Sequence, residues 1–190
     1  MHVTFAPPPD SLGRDLRALR KSRGKTLVEV ATALDRSVGW MSQVERDLSE
    51  PTMDEIKLLA ATLGVSVSTF FGRAPARAGE EGRVVRFDAR RPIGKRAEGL
   101  VEELLSPDLT DDFEVVHSTF APGAERLTDV NRPTQEVGYV VSGELELTID
   151  ELTYTIGPGD SFRVRSEPFR WANRTSNPCV VIWVIAPPVY

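Results

Sequence analysis

The stretch TLVEVATALDRSVGWMSQVE, residues 26–45, decides how the first half of this chain folds. Thr26 stands three residues before Glu29, the spacing of a capping box, in which each side chain bonds the other residue's backbone N–H. Leu27, Val30, Ala31 and Leu34 follow at i, i+3, i+4 and i+7, one face of a helix. Ser37 is suited to cap a second helix with Met41 and Val44 on its inner face and Leu48 continuing it. Only Leu34, Asp35 and Arg36 separate the two, too few residues for anything but a sharp turn. Two capped helices across such a turn have helix-turn-helix geometry. On the outer face of the second helix, Gly39, Ser42, Gln43 and Arg46 recur at i, i+3, i+4 and i+7. Small residues permit close approach, and a glutamine can make paired hydrogen bonds to an adenine edge. The pattern predicts a helix whose N-terminal part enters the major groove of double-stranded DNA.

Further helices are expected on either side. Leu12, Leu16 and Leu19 share a helical face behind Ser11 as N-cap, and Thr52 and Glu55 form a second capping box after Pro51. Ile56, Leu59, Ala60 and Leu63 make the apolar stripe of that helix, and Gly64 ends it. Ser66 is expected to begin a short fifth helix carrying Val67, Phe70 and Phe71. Residues 11–72 thus read as an all-α domain of five short helices. Residues 1–10 hold three consecutive prolines and lack the basic-then-apolar pattern of a secretion signal, so they are expected to form a flexible tail. Residues 73–82, rich in Ala, Gly, Pro, Arg and Glu, read as a linker.

Beyond the linker the period changes to that of strands. Phe113–Phe120, Val137–Val141, Leu145–Ile149, Leu152–Ile156, Phe162–Arg165 and Val180–Ile185 are short apolar or alternating runs. Pro122-Gly123, Ser142-Gly143, Asp150-Glu151, Gly157-Pro158-Gly159 and Asn177-Pro178 punctuate them. Many short strands at close spacing predict an all-β sandwich or barrel over residues 83–190.

Charge divides along the same line. The chain of 190 residues has a net charge of −5, which argues against indiscriminate coating of nucleic acid. Yet residues 1–78 carry 11 Lys/Arg against 9 Asp/Glu, whereas residues 79–190 carry 12 against 19. A locally basic surface on an acidic chain suits a small, defined phosphate-contacting face. No apolar run approaches the ~18 residues of a membrane span, so no membrane partner is expected. The single cysteine, Cys179, excludes an internal disulfide framework and fits a reducing cytoplasm. It lies in an apolar run and reads as a buried small residue.

Lys25–Ala31, Ser37–Arg46, Ser49–Thr52 and Leu63–Ser66 together resemble the XRE, or phage-repressor-like, helix-turn-helix family over residues 11–71. The resemblance implies base-facing positions at Ser37, Val38, Gly39 and Gln43, with Thr26 and its neighbouring backbone near phosphates. It also implies that Arg20 pairs with Glu45. Asp47, where the family has glycine, and Arg36, where it has an apolar turn residue, depart from the pattern.

Pro122-Gly123, Glu136, Tyr139-Val140, Gly143 and Gly157–Asp160 resemble the cupin family, a double-sheet β-barrel, from about Val84 onward. The family's first motif places two histidines between its first glycine and its glutamate. Here Gly123, Glu136 and Gly143 keep the spacing, but Asp129 and Asn131 stand at the histidine positions. Phe169, four residues before Asn173, stands where the second motif has its histidine. Sites for Zn, Fe, Mn or Ni built on nitrogen need imidazoles. His2 lies in the tail and His117 outside the motif, so no metal, cofactor or catalytic set is expected and the chain does not read as an enzyme.

Arg126, Asp129, Asn131, Glu136, Phe169, Trp171 and Asn173 remain at the mouth of the expected barrel, a set suited to a small amine-bearing or amino-acid-like effector. Arg126, Arg132, Arg163 and Arg165 argue for an anion or an amino acid instead. The stretch Glu136–Gly143 is similar to that of the putrescine-responsive repressor type of helix-turn-helix and cupin regulators. That resemblance implies a cytoplasmic homodimer, or higher homo-oligomer, on operator DNA. The competing readings are a cupin enzyme with an appended targeting domain, and a DNA-binding protein whose barrel only dimerises.

Overall fold

Among the described residues of the computed structural model, one short side chain starts each of the four α-helices of the N-terminal half. The structure describes residues 11–65, 67–71, 76–80, 82–93, 97–107, 109 and 111–189, so the expected tail lies outside the described residues. Ser11 Oγ accepts the Arg14 N–H at 3.2 Å and opens α1, Leu12–Ser22. The Thr26–Glu29 capping box opens α2, Leu27–Ala33, and Ser37 opens α3, Val38–Val44, by accepting the Trp40 N–H at 3.1 Å. A second capping box, Thr52 with Glu55, opens α4, Met53–Leu63, which ends at Gly64 in the left-handed conformation. Leu16, Leu19, Val30, Ala31, Met41, Val44, Leu59 and Leu63 form its buried apolar interior.

The expected fifth helix is not an α-helix. Val67–Phe70 forms one 3-10 turn. Four residues are too few to offset the cost of helix nucleation, and β-branched Val67 and Thr69 stiffen the segment further. Leu48, expected to extend the inner face of α3, is exposed. The helix ends at Val44, and Asp47 turns the chain with a φ of 55°.

Both departures from the helix-turn-helix pattern make bonds. The left-handed Asp47 presents its carboxylate to the first turn of α1, where Oδ1 accepts the Gly13 N–H at 2.9 Å. A Cβ on Gly13 would meet the Val44 carbonyl at 2.3 Å, so the two elements approach this closely only with glycine there. Arg36 donates from Nε to Glu55 Oε1 at 2.7 Å, tying the turn between α2 and α3 to the start of α4. The Thr52 backbone N–H holds the Glu55 carboxyl below the usual glutamate range, with the Thr52 hydroxyl and Arg36 adding to it. A carboxyl depressed in the folded state contributes stability above its unfolded pKa and loses it as pH falls through the folded value.

Among the described residues, ten strands build the C-terminal half: β1 Arg91–Ile93, β2 Leu100–Leu104, β3 Glu114–Phe120, β4 Glu125–Val130, β5 Gln135–Ser142, β6 Leu145–Ile149, β7 Leu152–Ile156, β8 Ser161–Arg165, β9 Phe169–Ala172 and β10 Cys179–Ala186. They form a six-stranded sheet in the order β1-β2-β3-β10-β5-β8 and a four-stranded sheet in the order β4-β9-β6-β7, and every pairing is antiparallel. All six strand segments expected from the sequence are present, and β1, β2, β4 and β9 are additional. The inner faces meet in one core that includes Val116, Phe120, Leu147, Trp171, Val181 and Trp183. Gly138 stands between Phe162 and Trp183 in the register of β5, and a Cβ there would lie 2.1 Å from the Phe162 ring. Its absence lets Phe162 pack edge-on against Trp183, with centroids 5.0 Å apart.

The chain divides into two compact units, one up to Arg90 together with Pro107–Asp111, the other Arg91–Ser106 with Asp112–Val189. Among the described residues no helix is long and apolar enough to cross a membrane.

The ion pair between α1 and the end of α3 dominates the helical unit. Arg20 donates to Glu45 from Nε at 2.5 Å and from Nη2 at 2.9 Å, and from Nη1 to the Lys25 carbonyl at 2.9 Å. The two side chains are only 11% and 4% exposed. Arg20→Ala would leave the Glu45 carboxylate buried and unpaired, at a cost of about 3 kcal/mol to the helical unit. Urea unfolding followed by helical circular dichroism checks this, and an unchanged midpoint would show the pair to be dispensable.

Candidate functional site: nucleic-acid interface and barrel cavity

Inward anchoring of α3 determines which of its residues face outward. Met41 and Val44 are buried, while Ser37, Val38, Gly39, Gln43 and Arg46 are exposed and Ser42 is half-buried. The Ser37 hydroxyl caps the helix, and the Arg46 Nε–H donates back to the Ser42 carbonyl at 3.1 Å. The Thr26 hydroxyl is engaged in the capping box, accepting from the Glu29 N–H at 3.2 Å and donating to its carboxylate at 2.8 Å. Val38, Gly39 and Gln43 form a face with little bulk and one paired donor–acceptor group. Arg36, over the Trp40 ring at 5.4 Å, and Arg46 are exposed cations beside it.

The second candidate lies in the mouth of the barrel. A cavity of about 30 Å³ is walled by Phe120, Phe169, Trp171 and Trp183, with Leu100, Val130 and Ile185 completing the apolar lining. Four charged side chains reach it: Glu102, Arg126, Arg132 and Glu136. Glu136, 1% exposed, accepts the Thr134 hydroxyl at 2.7 Å, and Arg132 Nε stands 4.0 Å from the same oxygen. Glu102 Oε1 accepts the Ser118 hydroxyl at 3.2 Å. Charges of both signs thus meet inside aromatic walls, where the low dielectric strengthens their interactions.

Of the seven residues expected at the mouth, the structure brings together Arg126, Glu136, Phe169 and Trp171. Asp129 is exposed and bonds Arg170 at 3.1 Å, and Asn131 is exposed; neither lines the cavity. Asn173 is fully buried but bound up in the loop after β9. Its Nδ2 donates to the carbonyls of Phe120 at 3.1 Å and Asn177 at 2.8 Å, and its Oδ1 accepts the Thr175 N–H and hydroxyl at 3.0 and 2.8 Å. The sequence reading omitted Glu102, Leu100 and Trp183 from the site. The first two come from β2, a short strand without apolar alternation, and Trp183 from a run that is apolar throughout.

His117 on β3 lies with Nδ1 4.0 Å from Glu103, on the opposite face of β2 from Glu102. Burial pushes the Cys179 thiol up to about 11, with Glu144 adding to the effect, so this cysteine is not a ready nucleophile. Among the described residues, no three His, Cys, Asp or Glu side chains gather as a metal site would require.

Residues 11–69 match the helix-turn-helix domain model and residues 116–185 the cupin domain model. The chain thus carries a helix-turn-helix domain followed by a cupin domain. It is 24% identical over 182 residues to the HTH-type transcriptional regulator PuuR of Escherichia coli (strain K12), covering 94% of this chain and 96% of that one. The immunity repressor protein of Bacillus phage phi105 is 28% identical over 98 residues, 52% of this chain and 67% of that protein. Among solved structures, an HTH_3 family transcriptional regulator from Vibrio cholerae is 23% identical, with 95% of this chain and 97% of that chain covered and a TM-score of 0.45.

Asn173 and Asn131 separate a structural from an exposed role. Asn173→Ala removes the amide that donates to the Phe120 and Asn177 carbonyls and accepts from Thr175, and is expected to cost the barrel about 2 kcal/mol or more. Asn131→Ala should leave its melting temperature nearly unchanged. Equal effects of the two would contradict the hydrogen-bond assignment.

Proposed function

We propose that this chain binds a specific operator as a homodimer in the cytoplasm, and that a small molecule held in the barrel changes its affinity for that DNA. The α3 face carries the first half of this reading: Val38, Gly39 and Gln43 are exposed while Met41 and Val44 hold the helix from behind. One helix-turn-helix unit reads few bases, and paired half-sites about one helical turn apart supply the rest of the specificity. The role is regulatory rather than catalytic, because Asp129, Asn131 and Phe169 stand where metal-binding cupins carry imidazoles.

The cavity narrows the effector. An amine held between Glu136 and Asp129 fits poorly, since Asp129 points to Arg170 outside. Glu136 and Glu102 beside Arg126 and Arg132 suit a molecule with an ammonium and a carboxylate, as in an amino acid. The space of about 30 Å³ holds about one water, whereas small-molecule pockets run to hundreds of cubic ångströms. An effector therefore enters by moving the walls. That movement is the coupling: binding to an opened barrel and binding to DNA favour different arrangements of the dimer, and ~1–3 kcal/mol of difference gives a 5–150-fold change in affinity.

Gln43→Ala is expected to weaken binding to the selected operator by about 1–3 kcal/mol and leave binding to random DNA nearly unchanged. Fluorescence anisotropy on both DNAs measures it, and an equal loss on the two would remove Gln43 from base reading. For the effector, amino acids should raise the melting temperature more than diamines or simple carboxylates do, and Glu136→Gln should abolish that shift while operator binding persists. Stabilisation by diamines alone, or a normal response in the variant, would overturn the zwitterion reading.

A further inference from the structure

In the six-stranded sheet, the central strand β10 is apolar on both faces, and its neighbour β5 is largely apolar on its outer face. On β10, Cys179, Val181, Trp183 and Ile185 face the barrel core, yet the alternate residues Val180, Ile182 and Val184 are apolar as well. On β5 the outward residues are Val137, Tyr139 and Val141, all exposed. Register joins them into one surface: Val137 lies beside Val184 and Tyr139 beside Ile182, and Val115 of β3 flanks Val184 on the other side. An antiparallel sheet with one solvated face ordinarily alternates apolar and polar residues, and strands apolar on both faces belong to sheets covered on both.

The strands on either side of this apolar centre carry opposite charge on the outer face. On β8, Arg163 and Arg165 lie beside Val137 and Gln135. On β2, Glu103 lies beside His117, across the apolar centre from β8. Two copies can stack face to face about a two-fold axis in two ways. An axis across the strands sets β8 over β8, arginine against arginine. An axis along β10 sets β8 of each copy over β2 of the other, basic strand over acidic strand twice, with Glu103 at the level of Ser161 and two residues, about 7 Å, along the strand from Arg163. Five strands at ~4.8 Å spacing and eight residues of β10 give a face of roughly 24 by 27 Å, the scale of the ~800 Å² per partner in a stable interface.

We propose that the outer face of the β2-β3-β10-β5-β8 sheet docks a second copy of this chain, with the two-fold axis running along β10. The proposal rests on the dimer reading and adds its surface and its symmetry. An isologous contact of this kind is self-complementary, with Val184 and Tyr139 near the centre and the charges at the rim.

Sedimentation velocity of the full chain at micromolar concentration tests it. The wild type sediments as a dimer, and a wild-type monomer would overturn the dimer reading itself. Val184→Glu and Tyr139→Glu, at positions 43% and 49% exposed, are expected to give monomers with unchanged circular dichroism. A dimer insensitive to both would overturn this face while leaving dimerisation intact. Arg163→Glu and Glu103→Arg should each weaken the dimer about ten-fold, and the two together should restore it, because like charges are then replaced by a reversed pair. Failure of the double variant to recover would overturn the axis along β10.

Discussion

The placement of α3 depends on a guanidinium held almost out of water. Arg20 on α1 spends its three nitrogen groups on the Glu45 carboxylate and the Lys25 carbonyl, joining the first helix, the entry to α2 and the end of α3. α3 has only seven residues, too short to persist by its own hydrogen bonds. Its position comes from Met41 and Val44 beneath it, the Ser37 cap at its start and the ion pair at its end. Asp47 and Arg36 extend the same logic, each using a polar contact to lock a turn beside α3 to a neighbouring helix terminus. A helix fixed on all sides can present small side chains without collapsing toward its own core.

The barrel solves a different problem, the presence of four charged groups inside an aromatic wall. Glu136 is almost inaccessible, and Arg132, Arg126 and Glu102 share its cavity. Ions of one sign there would repel at low dielectric, whereas a mixed set can be nearly neutral when closed. The cavity they share measures about 30 Å³.

The helical unit was legible because its signals are local. Thr26 with Glu29, Thr52 with Glu55, Ser11, Ser37 and Gly64 lie within a turn of the ends they define. The fifth helix failed for the same reason: an apolar pattern was present at Val67–Phe70, but too few residues followed it. In the barrel, strands with clear alternation or strong β-branching were found, whereas β1 and β9 are short and β2 and β4 carry charged or mixed residues. Their existence depends on pairing with strands far along the chain.

The sequence by itself determined the two-part architecture, the caps and the outer face of α3, because each rests on residue type at fixed local spacing. Only the tertiary structure decided which polar side chains share the cavity. Asp129 and Glu136 are near in sequence, but the irregular register of β4 against β9 leaves Asp129 beside Arg170 on the outside. Glu102 is remote in sequence, and pairing of β2 with β3 sets it on the inner face beside Ser118. In a strand the side chain alternates sides at every residue, so one step of register separates a group that faces the cavity from one that faces water.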